Sequence, residues 1–460
     1  MAFFCRAGQP WAVMLGRCDS AATPAGVPSM PTTAMNPLPS PTHAVAERPA
    51  ALPPRPLWPM LFALTTAFAL SQAYRTVATL MASPLQADFH LDAQALGLFA
   101  GAFHFAFGAM QLFMGIGIDL QGVRRTVLTA FPVAIAGSAV SALATSYPML
   151  VAGQVLIGMG CAPAFLVCTV FIARHLPAER FAAVSGLTLG LGGIGMLLTG
   201  TPLAWLIEAT SWRMGFWVLG AVAVLAWGLI YALVHEPALP AAMAQAKGTH
   251  ARETLGQAIG KFGALFLLPH TLGIVLLAAV GYASFISLRG LWLGPMLMQR
   301  HGFSLVQAGN VALVMSLASL LGPPLFGRFD PGPKHRRRWI VGLTLLLAGL
   351  FAAFAMGHST LVDVGGPIVI GLLSGYMVLQ YADVRAAYPP ELTGRAMAVF
   401  TMAMFLGVAG MQWLTGLVAS VASAQGIEPF TAVLGSIAAL LVAGALAFTV
   451  LPGPVRRATA

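Results

Sequence analysis

The chain has 460 residues, of which 58% are hydrophobic and 8% charged, with a mean hydropathy of +0.83. A soluble domain carries about 25% charged residues, so this composition excludes a soluble globular protein and fits one embedded in a bilayer. The formal net charge of +10 would read as a nucleic-acid footprint in a soluble chain. Here the charges sort by side of the membrane, and no nucleic acid is implied.

Residues 1–56 hold 11 of the 32 prolines, spaced by Ser, Thr and Ala. Such a stretch has too little apolar surface for a packed core and is expected to be a disordered cytoplasmic tail. Met1 to Cys18 resembles a secretory leader weakly, because Arg6, Gln9 and Pro10 interrupt its apolar run. Met30 and Met35 are alternative starts.

Apolar runs of about twenty residues follow, long enough to cross a hydrocarbon core of about 30 Å as helices. They predict twelve spans, at 58–82, 95–118, 126–145, 148–173, 181–206, 214–234, 268–294, 305–327, 338–357, 364–382, 395–420 and 430–451. Strict alternation punctuated by turns, the mark of a transmembrane barrel, is absent. A polar, alanine-rich cytoplasmic loop at 235–267 divides the chain into two six-helix halves, 57–234 and 268–452, and 453–460 forms a second cytoplasmic tail.

With the N-terminus inside, 20 of the 24 Lys and Arg residues fall on cytoplasmic tails and loops. Arg213 and Arg300 fall on outer loops, while Arg75 and Arg289 lie in the membrane. That bias follows the positive-inside rule and predicts cytoplasmic termini in a plasma or bacterial inner membrane. Cys5, Cys18, Cys161 and Cys168 lack zinc-site spacing, and no structural disulfide, metal or cofactor is expected.

The halves repeat one another. After span two, Gly115, Asp119, Gly122, Arg124 and Arg125 stand in the pattern Gly-x-x-x-Asp-x-x-Gly-x-Arg-Arg, and after span eight Gly327, Arg328 and Asp330 stand in a degenerate copy. Arg75 precedes Asp119 by 44 residues and Arg289 precedes Asp330 by 41. The two membrane arginines therefore occupy matching places in the first span of each half.

A guanidinium stays charged when buried, and one near the bilayer centre costs roughly 2.5–3.5 kcal/mol on insertion scales. From Arg75 the expected outer boundary near Pro84 is about 14 Å away at 1.5 Å per residue, beyond the reach of its side chain. All fourteen acidic residues map to the tail, loops or span ends, Asp383 lying nearest the interior. Two readings stand: the arginines face a polar cavity and meet an anion that the solute brings, or they serve in structural pairing and helix packing.

The loop after span two resembles the signature loop of the major facilitator superfamily, and the resemblance extends over about residues 57–452. Leu120 departs from it where the family often has a basic residue, and Phe326 replaces the first Gly of the second copy. The resemblance implies an all-α membrane protein, with twelve transmembrane helices in two pseudo-symmetric six-helix bundles (the MFS fold). It places a solute site near midplane between the bundles.

A second, shorter resemblance is to the sugar-phosphate:phosphate antiporters and the wider anion:cation symporter group. It rests on Tyr74-Arg75, Pro84 and Leu91 to Gly97 in the first half, and on Arg289, Trp292 and Pro295 in the second. The nitrate/nitrite porters also bind anions, but their arginines lie on helices two and eight, where this chain has none. The glycine-rich run Gly186 to Gly200 fits close helix packing.

These resemblances imply a secondary transporter, not an enzyme, that moves a small organic or inorganic anion by alternating access. Candidate substrate contacts are Arg75, Arg289, Tyr74, His104, Trp292, Gln72 and Gln412; Gln111, Tyr282, Asn310, Tyr376 and Gln380 are further polar span residues. His104 is a candidate carrier of a coupling proton, the alternative being a counter-transported anion. Around Gly115, Gly122, Arg124 and Arg125, Asp119 is expected to latch to Arg395 and Asp330 to Arg180 on the cytoplasmic side. A monomer in the lipid bilayer is expected. The alternatives are efflux of a neutral or cationic compound with structural arginines, or a transporter-like receptor.

Overall fold

The computed structural model describes residues 57–235 and 260–452, apart from 177, 261–262, 358 and 389. Both expected tails and most of the 235–267 loop lie outside the described residues. The first span, α1, comes in two pieces, Leu57–Thr76 and Ala78–Phe89. Eleven further helices are long and apolar enough to cross a bilayer. In chain order they are α2 (Ala93–Gln111), α3 (Gln121–Ala142), α4 (Tyr147–His175), α5 (Val184–Ala209), α6 (Trp212–Leu233), α7 (Pro269–His301), α8 (Leu305–Arg328), α9 (Gly332–Met356), α10 (Thr360–Ala387), α11 (Arg395–Ala424) and α12 (Pro429–Val450). The chain is thus an all-α membrane protein of twelve transmembrane segments.

Five of the six even helices begin with side-chain caps, α4 being the exception. Asp92 Oδ1 accepts from Ala95 N at 2.7 Å ahead of α2, and Ser304 closes a capping box with Gln307 ahead of α8. Ser211, Ser359 and Glu428 do the same for α6, α10 and α12. Each cap satisfies a backbone N–H that the first helical turn leaves without a partner. The helix leaving α2 ends at Gly122, whose φ of 85° and ψ of 170° suit a residue without a Cβ. That angle turns the chain into α3.

Two spans outrun their expected ends. The first carries on through Pro84 to Phe89 instead of stopping at 82, because Asp88 at its tip accepts from Trp212 Nε1 at 2.7 Å and from Arg213. The seventh reaches His301 instead of 294, its last turn held by ion pairs of Arg300 and His301.

The bundles meet along three helix pairs. Where α2 crosses α11, a Cβ at Gly97 would overlap the Gln412 carbonyl. Where α5 crosses α8, a Cβ at Gly309 would sit 2.9 Å from that of Ala204. Between α1 and α7, Gly294 N donates to Thr79 Oγ1 at 3.1 Å. All three contacts lie toward the face carrying the α1–α2 loop, so the seam is packed shut on that side. Small residues let the backbones approach this closely, as membrane helix packing requires.

Candidate substrate site at the bundle seam

Arg75 lies at the seam itself. Its guanidinium carbon is 4.7 Å from the Phe107 ring centroid on α2 and 4.6 Å from that of Phe405 on α11. Nη1 donates to the Tyr282 hydroxyl on α7 at a long 3.4 Å, and Nε has no partner. Two aromatic faces return part of the desolvation cost, up to about 2 kcal/mol each when water is excluded. They bring no negative charge.

His104 and Gln412 flank this cation from the two bundles. The His104 ring stacks near Phe405, its Nδ1 donates to the Ala100 carbonyl at 3.1 Å, and it also faces Gln412. That bond gives Nδ1 the proton and leaves Nε2 an acceptor. His104 Nε2, both amide atoms of Gln412 and Gln72 Oε1 are buried without a protein partner. Unpaired polar atoms so concentrated are uncommon in a packed core and accompany function or bound solvent.

Arg289 is also at the seam, but its hydrogen bonds are to protein. Nε donates to Ser316 Oγ on α8 at 2.8 Å, and Nη2 donates to the Met196 and Thr199 carbonyls of α5 at 3.0 and 3.4 Å. α5 breaks at Thr199–Gly200, and the Met196 carbonyl there also accepts from Thr199 Oγ1 at 3.1 Å. There Gly200 N turns to Leu197 O instead of Met196 O, which leaves the Met196 carbonyl without its helical donor. Arg289 itself sits in a π-helical turn, Leu288–Trp292, which often marks functional positions. Only its Nη1 lacks a partner. Arg289 thus has protein acceptors of the kind the structural reading expects, while Nη1 remains without one.

Two other candidates point away from the seam. The Tyr74 hydroxyl hydrogen-bonds Ser138 of α3 inside its own bundle. Trp292 Nε1 donates to Thr415 Oγ1 of α11 at 2.9 Å, and its ring meets Phe430 of α12 edge-on. Both are drawn inward because an amphipathic aromatic hides its ring and bonds its single polar atom. Conversely, Phe107 and Phe405 were missed, since a phenylalanine in an apolar run carries no sign that a cation lies over it.

No carboxylate reaches Arg75 or Arg289 among the described residues; the described ion pairs sit at helix ends. Asp330 bonds Arg336 of its own bundle at 2.5 Å, which holds its carboxyl below the usual range. The side chains of Asp119 and Arg180 lie outside the described residues. Arg124 donates to the Tyr231 carbonyl at 3.0 Å, tying α3 to α6, and Arg125 is exposed.

Twelve helices around a seam that holds two buried cations define a polytopic membrane protein with a charged interior. The chain belongs to the Major Facilitator Superfamily, whose family model matches residues 62–411 and 293–459. It is 28% identical over 153 residues to a probable sulfoacetate transporter of Cupriavidus necator, covering 33% of this chain and 35% of that one. It is 25% identical over 176 residues to a hexuronate transporter of Bacillus subtilis, covering 38% and 40%. These matches span well under two thirds of either relative's length. Among solved structures, a D-xylose-proton symporter aligns with a TM-score of 0.66 at 15% identity, over 87% of this chain and 99% of that one. At that identity the likeness shows the fold.

Proposed function

We propose that this protein is a secondary transporter that moves a small organic anion across a cytoplasmic membrane by alternating access. The observation that carries the proposal is Arg75, a buried guanidinium packed against two touching aromatic rings, whose one protein acceptor among the described residues is a tyrosine at 3.4 Å. A carboxylate or sulfonate arriving at the seam supplies the missing charge through charge-assisted bonds. Gln412, Gln72 and Tyr282 bring further polar atoms from both bundles, so a solute bound there bridges them. Relatives named for sulfoacetate, hexuronate and galacturonate support an acidic substrate. Arg289 joins α7 to α5 and α8 and offers at most its free Nη1. The excess of basic residues on one face supports cytoplasmic termini.

Counterflow in proteoliposomes with a panel of sulfonates, uronates and phosphates tests this. Arg75→Ala is expected to lower uptake of the best anion at least a hundredfold, since a charge-assisted bond is worth about 1.5–3 kcal/mol and the orphaned solute charge adds to the loss. Equal uptake by parent and variant would remove the anion from the proposal and favour efflux of a neutral or cationic compound. That second reading draws on Arg289, whose bonds are those of a structural group.

A further inference from the structure

A second basic site lies away from the seam. The first turns of α9 and the last turns of α12 end at the same membrane face and leave a cleft of about 460 Å³ between them. Arg337, Arg338, Val341, Gly342, Phe448 and Thr449 line it. Arg337 is fixed in place: Nε donates to Asp383 Oδ2 at 3.1 Å and the guanidinium lies 4.4 Å over the Phe448 ring. Its Nη groups have no protein acceptor among the described residues. Arg338 is exposed, and no described carboxylate pairs with it. Trp339 beside it is 44% exposed, as suits an aromatic side chain at headgroup level.

We propose that this cleft binds an anionic phospholipid, with its phosphodiester on Arg337 and Arg338 and an acyl chain along Val341, Gly342 and Phe448. A solvated positive-inside charge has no need of a fixed geometry, yet Arg337 is clamped by a carboxylate and a ring. Asp383 meets Arg337, while Arg338 is exposed without a described carboxylate, so the cleft favours an anion. The walls behind the arginines are apolar, which suits a chain-bearing ligand better than free phosphate. Gly342 keeps the groove open, since a Cβ there meets nothing within 4 Å. Basic pockets between membrane helices are the recognised setting for such lipids.

The test is native mass spectrometry of the full-length protein, titrated separately with phosphatidylglycerol, phosphatidylcholine and inorganic phosphate. The parent is expected to retain phosphatidylglycerol in preference to phosphatidylcholine. Arg338→Gln should weaken that binding about fivefold, from roughly 1 kcal/mol per basic residue and tenfold per 1.4 kcal/mol, while Arg338→Lys should keep it. Gly342→Leu fills the groove without a clash and should also weaken phosphatidylglycerol binding. No preference over phosphatidylcholine, or unchanged binding in both Arg338→Gln and Gly342→Leu, overturns the proposal. Displacement of the lipid by phosphate at comparable concentration overturns it too, by making this a simple anion site.

Discussion

Replacing Arg300 with methionine should destabilise the second bundle by about 3 kcal/mol. Arg300 closes the outer end of α7 against two other helices: Nη1 lies 3.2 Å from Asp363 Oδ2 in the first turn of α10, and Nε lies 2.9 Å from Glu428 Oε1 ahead of α12. Asp363 is fully buried and has one other described side-chain partner, His301 Nε2 at 2.7 Å. Removing one member of a buried pair costs about 3–5 kcal/mol, because the other charge is left unpaired. The lower end applies here, since Asp363 keeps its 2.7 Å hydrogen bond with His301 Nε2. Glu428 is 35% exposed and can rehydrate, so its lost pairing adds about 0–1 kcal/mol. Adding Asp363→Asn to the variant removes the orphaned charge and should restore a large part of the loss. Thermal unfolding in detergent, followed by tryptophan fluorescence, measures both. The reasoning fails if Arg300→Met unfolds like the parent, or if the double variant is no more stable than the single one.

Two further outcomes follow from the same geometry. Glu428 is buried enough to oppose ionisation, but its bonds from Arg300 and Thr431 outweigh that and bring its pKa down from 4.5 to about 2. A depressed carboxyl stabilises fully above its unfolded value and loses that contribution as pH falls through the folded one. Stability should therefore decline between pH 4.5 and about 2, and Glu428→Gln should flatten the decline in acid-unfolding curves. Gly97→Leu should hold α2 and α11 apart, because the side chain meets the Gln412 backbone, which cannot step aside. Counterflow should fall at least tenfold (about 1.4 kcal/mol of lost closure), and a cysteine at Ser420 should react faster with an impermeant maleimide. Unchanged reactivity and transport would mean that this packing is no part of the cycle.

The twelve spans were legible because a bilayer imposes a simple rule: about twenty apolar residues per crossing, with basic residues sorted to one side. Their ends were less so. The last turn of α7 reads as polar; the left-handed Gly302 cap closes it, and partners from α10 and α12 hold Arg300 and His301. The importance of Arg75 was also visible, because a lone charge in an apolar run is costly whatever surrounds it. The aromatic pair it packs against was not, since Phe107 and Phe405 come from different bundles and have no local pattern in common.

Sequence by itself determined the class, the pseudo-repeat and the pair of buried cations, all of which depend on composition and spacing along one chain. The tertiary structure decided what each cation meets. The two arginines are near-equivalent by sequence, yet α5 breaks beside Arg289 and offers it two carbonyls, while Arg75 receives two rings and one distant hydroxyl. Hydrogen-bond satisfaction belongs to neighbours in space, supplied to Arg289 in part by α5 carbonyls 90 and 93 residues away in the chain. That is why equal spacing in the sequence left the two charges with unequal roles.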